Sequence, residues 1–433
     1  MLKRIIAIAF VYLLAMFGWV TLGGTIAYRT DAQDAELRRE VGQLWGTPLT
    51  QAAPVAKLNV ERTAEAEKTD PLTKKKTIER TTVTDAYDVP IVKSNINVHL
   101  DLDQRQKGLL WYSTYKVKFT ADYLFENPQD KKGEMVVNFS FPARDGLYDE
   151  FRFEVDGKEV PFTRQEANLL AARIPCEPKS RHALTVNYKS NGLDSFVYRF
   201  GDGITEVRDF QLIAATNFDG FNFPGNTISP GYKKRVDGGW ELGWQYTDLI
   251  AGNSIGIEMP QQINPGPMAA RISFFAPVSL AFFFFMIFVI SLLRGVNIHP
   301  MNYFFLAAAF FAFHLLLAYL VDHISIHIAF LICSAVSIFL VVSYMRIVAG
   351  DRFAFFETAL AQVIYLIGFS YAFFIEGFTG LAVTIGAIIT LFVVMQMTAR
   401  INWAEKFALP SAPPLPTEPV KENLCPPATS AVE

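Results

Sequence analysis

The chain has 433 residues, with 51% hydrophobic side chains and a formal net charge of −3. So weak a net charge gives no large field for nucleic acid or acidic substrates, and nucleic acid is excluded as a partner. The three cysteines, Cys176, Cys333 and Cys425, fall in three different regions. They form no CxxC pair for zinc or redox work, and no intrachain disulfide is expected.

The first element is an uncharged run, Ile5–Ala27. A bilayer core needs about 20 apolar residues per helix, so this run spans. Thr25-Ile26-Ala27 is a weak cleavage pattern, but the run exceeds the h-region of a signal peptide, and residues 1–29 are expected to be a retained anchor. Residues 30–85 carry mixed charge, Pro48, Pro54, the charged run Glu61–Lys68 and the basic Lys74-Lys75-Lys76. With few apolar residues for a core, this stretch is expected to be a charged, partly disordered stalk.

Residues 86–267 change to short alternating segments. Ile96, Val98 and Leu100 alternate with polar neighbours, as do Tyr115, Val117 and Phe119, and Val137, Phe139 and Phe141. Period-two alternation marks strands with one buried face. Phe151, Phe153 and Val155 lead into Asp156-Gly157, a hairpin signal because a type I′ turn needs positive φ at both central residues. Further strands are expected at Ala183–Tyr188, Phe196–Phe200, Val207–Thr216, Trp240–Tyr246 and Ile255–Met259. Many short strands with turns between them predict a sandwich-like all-β domain.

Within this domain the loop 217–226 interleaves Phe218, Phe221 and Phe223 with amides and glycines. Such a loop can stack on a sugar or peptide, making it a candidate ligand loop; the plainer role is to cap the core. Gly252-Asn253-Ser254-Ile255-Gly256 matches a nucleophile elbow, but an elbow joins a strand to a helix and needs a downstream acid and histidine. A serine hydrolase at Ser254 therefore ranks last. Asp101-Leu102-Asp103 lacks the ligand spacing of a calcium loop.

Residues 268–403 hold four further apolar runs, within Ser273–Ile290, Asn302–Leu320, Ile324–Met345 and Phe353–Thr398; the last suffices for two spans. The fold class is thus a polytopic α-helical membrane protein with six transmembrane helices and an inserted β-rich domain. Among the few polar residues of the bundle, His314 lies inside a span, Asp322 and His323 where a run breaks, and His327 four residues on, as if sharing a helix face with His323. Intramembrane ionisable groups are costly and often functional, so a proton relay or an outer-face metal site is one reading, and a transporter or proton-coupled sensor is the alternative function it implies. Headgroup-level turns, and a neutral His314 bonded across helices, are the other. Gln362 and Gln396 suit helix–helix hydrogen bonds, and Pro277 alone interrupts a span. Residues 404–433 are Pro-rich and predict a disordered tail. No cofactor signature is present.

Ile298-His299-Pro300 opens the third span, Asp322-His323 closes it, and Arg400-Ile401-Asn402-Trp403 follows the last. In these features the stretch Ile263–Trp403 resembles the inner-membrane CreD family of bacterial envelope proteins. The resemblance implies an inner-membrane protein linked to envelope integrity and to a carbon-source or antibiotic-responsive regulon, and names no reaction. The expected partners are the lipid bilayer and an unidentified envelope component.

Charge sets the orientation, because cytoplasmic loops are rich in Lys and Arg. Lys3 and Arg4, Arg294, Arg346 and Arg352, and Arg400 and Lys406 mark one side; Asp322 and Glu376 mark the other, with Arg29 and Arg271 as exceptions. Both termini are therefore expected in the cytoplasm and Thr30–Met268 outside. Reporter fusions at Asp130–Gly133 and at the C-terminus should report opposite compartments; a shared compartment overturns this topology.

Overall fold

The computed structural model describes residues 2–69, 76–108, 110–166, 168–203, 205–375 and 377–399. Among them are six helices long and apolar enough to cross a membrane. They are α1 (Leu2–Trp45), α2 (Pro265–Arg294), α3 (Pro300–Leu320), α4 (Ile326–Ala349), α5 (Phe353–Phe374) and α6 (Thr379–Thr398). Trp403 and Glu376 lie outside the described residues, as does the Pro-rich tail.

Two compact units divide the chain: residues 18–274 with 312–335, and residues 1–17 with 275–311 and 336–433. The first contains the β domain. Its large sheet runs, in order, through Lys158–Glu159, Tyr148–Val155, Arg181–Leu193, Thr114–Glu126, Ile91–Leu102, Thr205–Thr216, Gly239–Ala251 and Tyr232–Val236. All its pairings are antiparallel except Thr205–Thr216 with Ile91–Leu102. A second sheet runs through Phe162–Glu166, Leu169–Cys176, Gly133–Ser140, Val55–Thr69 and Lys76–Val89. Leu49–Ala52, Ser195–Arg199 and Ile255–Glu258 form a third.

Alternation is what closes these sheets on one another. Val98, Val117, Phe119, Val186 and Leu212 of the large sheet share a core with Leu58, Val137, Phe139 and Ala172 of the second. Each strand sends every other side chain inward, as the pleat requires. Polar atoms that enter this core are paired: the Tyr188 hydroxyl donates to Gln51 Oε1 at 2.9 Å, and Gln51 Nε2 donates to the Ala52 and Ser140 carbonyls. Burial pushes the Tyr188 phenol well above its ordinary value. The Asp156-Gly157 turn has φ of 52° and 73°, the positive pair that the hairpin signal anticipates.

The expected stalk of residues 30–85 is the main departure. α1 continues to Trp45, and strands at Leu49–Ala52, Val55–Thr69 and Lys76–Val89 follow. The apolar supply is small but well spaced: Ala56, Leu58 and Val60 face the core. The charges that suggested a linker pair across the strands instead, Arg62 with Asp85 at 2.7 Å and Arg80 with Glu65 at 3.1 Å.

The second half of α1 docks on the domain. Leu37, Val41 and Trp45 pack with Leu110, Tyr112 and Leu193. Around them, Arg38 bridges Asp34 and Asp194, the Tyr112 hydroxyl donates to Asp34 at 3.1 Å, Lys107 pairs with Glu40 at 2.6 Å, and Arg105 lies over the Trp45 ring. Burial raises the Asp194 carboxyl above its ordinary range, and Arg38 opposes that shift. Arg38→Ala leaves both carboxylates without their shared cation. It should destabilise the domain by about 1–2 kcal/mol, after discounting for partial exposure. Urea titration of the purified protein measures this; Arg39→Ala, on the adjacent position, is the comparison expected to be near neutral.

Candidate functional site

Three groups of candidate residues fall in different places. At the end of α3, Asp322 and His323 lie in the turn before α4, which starts at Ile326. His323 therefore precedes the helix, while His327 sits in its first turn. Their spacing does not put them on one helix face, because the intervening backbone is not helical. Both are exposed.

Asp322 has a partner that sequence reasoning missed. Arg29 Nη2 lies 3.0 Å from Asp322 Oδ2 and donates to the Ala318 carbonyl at 3.0 Å. Its guanidinium also sits 5.5 Å from the Tyr319 ring centroid, within cation–π range. Arg29, an exception to the charge rule in the sequence, is neutralised by this acid and caps the carbonyl end of α3. Ile26, Ala270 and Ala318 pack together as a small apolar cluster. No periodicity signals this contact, since the two residues are nearly three hundred positions apart.

His314 is fully buried. Its ring meets Trp19 edge-on at 5.7 Å and Phe313 at 4.9 Å. At the other end of α3, Ile298 is fully buried, and His299 Nδ1 accepts the Met301 N–H at 3.2 Å. Pro300 is the first residue of α3, the position where its missing N–H costs nothing. The Ile-His-Pro motif thus anchors, caps and starts one helix.

In the loop 217–226, Phe218 is buried, and Phe221 and Phe223 pack against the core. Phe221 meets Trp240 and Phe223 edge-on, and Lys233 Nζ lies 4.6 Å from the Phe223 centroid. Asp219 accepts from Trp240 Nε1 at 2.6 Å and Arg235 at 3.3 Å. The aromatic faces are thus largely occupied by the domain itself. Ser254 precedes a strand, its N–H and C=O bonded to Asn226 and Ile228. The strand-to-helix context of an elbow is replaced by strand.

A recess on the domain lies elsewhere. A groove of about 560 Å³ on the outer face of the large sheet is lined by His99, Asp101, Lys116, Lys118, Asp149 and Lys189, among others. Register explains the grouping: His99, Lys118, Lys189 and Asp149 lie side by side across four strands. Lys118 and Lys189 are like charges directly opposed, an arrangement that costs stability. Glu150 neutralises Lys189 at 2.5 Å. The Tyr148 phenol, pushed up to about 12 by burial, holds the neighbouring chain by bonding both the N–H and the C=O of Ala143. Outward lysines at every other position of a strand look like ordinary solvated positions in sequence, which is why this groove is not legible there.

With the six spans and the β domain in place, a family model for the inner membrane protein CreD matches residues 1–174 and 229–404. The chain belongs to the CreD family. The match takes in α1 and the first half of the β domain as well as the bundle, so the likeness extends well beyond Ile263–Trp403. No curated protein matches the chain. Among solved structures, a candidate nutrient-binding protein of Legionella pneumophila subsp. pneumophila str. Philadelphia 1 is similar at 11% identity and a TM-score of 0.32. That likeness covers 54% of this chain and 75% of the other.

The Arg29–Asp322 pair is about one-third exposed on each side, so its coupling should be small. A double-mutant cycle with Arg29→Ala and Asp322→Ala, read by thermal unfolding in detergent, should give about 0.2–1 kcal/mol. Arg29→Ala alone should cost more than Asp322→Ala alone, since it also uncaps the Ala318 carbonyl.

Proposed function

We propose that this CreD-family chain is a non-enzymatic inner-membrane protein of envelope maintenance. Its β domain faces the periplasm, with both termini in the cytoplasm, and holds an anionic envelope component on the outer face of the large sheet. The observation that supports this reading most directly is the groove itself. It places Lys116, Lys118 and Lys189 on adjacent strands, and Lys118 faces a Lys189 whose charge Glu150 already meets. A negatively charged ligand would bring the counter-charge for Lys116 and Lys118. Asp101 and Asp149, which stand opposite Lys116 and Lys189 in the register, would set the ligand's position by excluding negative charge there. The basic turns at Arg294 and Arg346 support the orientation.

The test is a doubly charge-reversed chain, Lys116→Glu with Lys118→Glu, in cells lacking the native copy. Both side chains point to solvent, so the variant should accumulate in membranes at the normal level. It should fail to restore resistance to detergent and other envelope stress. Full restoration by the variant would remove the groove from the function.

A further inference from the structure

We propose that the trench between the first turns of α1 and the last turns of α2 binds one anionic phospholipid, its phosphate on Arg4 and an acyl chain between the two helices. The trench has a volume of about 370 Å³. Ile5, Ala9 and Tyr12 belong to one wall and Ala281, Phe285 and Phe288 to the other. Residues three and four apart share a helix face, so each wall is a continuous stripe.

Two contacts set the direction of the trench. The Arg4 guanidinium lies 5.8 Å from the Phe288 ring centroid at one end. Toward the other end the Tyr12 hydroxyl donates to the Pro277 carbonyl at 3.1 Å, so the helices run antiparallel. From Ile5 to Tyr12 the trench follows α1 for about 10 Å. It therefore leads from the charged end of a membrane span into the hydrocarbon, the direction an acyl chain takes.

Arg4 separates this trench from an ordinary lipid-facing furrow. Arg29, Arg294 and Arg346 are each met by an acid, Asp322 at 3.0 Å, Glu357 at 2.6 Å and Asp351 at 2.9 Å. Arg4 meets no acid among the described residues. Its Nη1 donates to Asn297 Oδ1 at 3.1 Å, while Nε and Nη2 are buried with no acceptor. Those two nitrogens form an edge of the guanidinium that can grip two phosphate oxygens at once. A cation drawn out of water without a counter-charge is costly, and a phosphate from the bilayer removes that cost.

The residue is partly exposed on a flexible stem, so the buried edge can turn to a phosphate at the trench mouth. Basic pockets between membrane helices take anionic headgroups in this way. A phosphate in solution makes no use of the trench, and a zwitterionic headgroup brings its own cation. Trench and arginine together select a lipid of net negative charge.

Native mass spectrometry of the purified full chain tests this, after incubation in detergent with phosphatidylglycerol, with phosphatidylcholine of the same acyl chains, or with inorganic phosphate. One phosphatidylglycerol should stay bound where phosphatidylcholine does not, and phosphate alone should leave no adduct. Arg4→Gln should weaken phosphatidylglycerol about tenfold. Lys3→Gln, the same loss of charge on the exposed neighbour, should change little. Ala9→Phe fills the trench from an exposed position and should weaken phosphatidylglycerol with Arg4 still in place. Should Arg4→Gln fail to accumulate, the Lys3 and Ala9 variants still decide. Equal retention of the two lipids, or equal losses in Lys3→Gln and Arg4→Gln, would mean diffuse attraction to the surface and overturn the proposal. Undiminished binding in Ala9→Phe would overturn it by removing the trench, and a phosphate adduct equal to the lipid's would do so by removing the acyl chain.

Discussion

The seating of α1 on the β domain is the contact from which the rest of that unit follows. A helix that left the membrane and then frayed would hand the domain over on a tether. Here the helical hydrogen-bond ladder runs on to Trp45, and Leu37, Val41 and Trp45 form one wall of a small core with Leu110, Tyr112 and Leu193. An apolar stripe this short buries little, so the flanking charges carry the orientation. Arg38 joins two acids from different parts of the chain, and Lys107 and Arg105 reach back to the helix. Removal from water penalises Asp194 unless its cation stays in place. Rotation of the helix by one residue would strand that charge.

Most of the fold was legible because membrane spans and half-buried strands are both set by local pattern. Ile96–Leu100 and Tyr115–Phe119 announce themselves by alternation, and Asp156-Gly157 by its turn chemistry. Residues 55–89 did not, since Ala56, Leu58 and Val60 are too few to stand out among Glu, Lys and Thr. Their strand character depends on partners, Gly133–Ser140 on one side and each other on the second. A linker and a charged strand have the same composition until the pairing charges are seen together.

The polar groups of the bundle divide the same way. Gln362 could be suspected of bonding across helices, and it does so with Ser337. Histidines draw the eye, yet His299 caps a helix and His314 is walled by rings. Arg29 was visible only as a breach of the charge rule. Its pairing with Asp322 shows why such breaches are tolerated: a neutralised arginine costs the bilayer far less than a bare one.

The outer strand of the large sheet, Tyr232–Val236, reads Tyr-Lys-Lys-Arg-Val and leaves its first four side chains exposed. An unpaired strand margin is a template for another copy, and confinement to a membrane raises the encounter rate between copies. Lys233 and Lys234, beside an Arg235 that Asp219 meets, place positive charge along that margin and disfavour its pairing with a second copy. Crowding of this protein in the plane of the bilayer should therefore not drive fibre-like stacking of its β domains, and loss of those charges would make the protein's abundance, rather than its fold, the limit on its solubility.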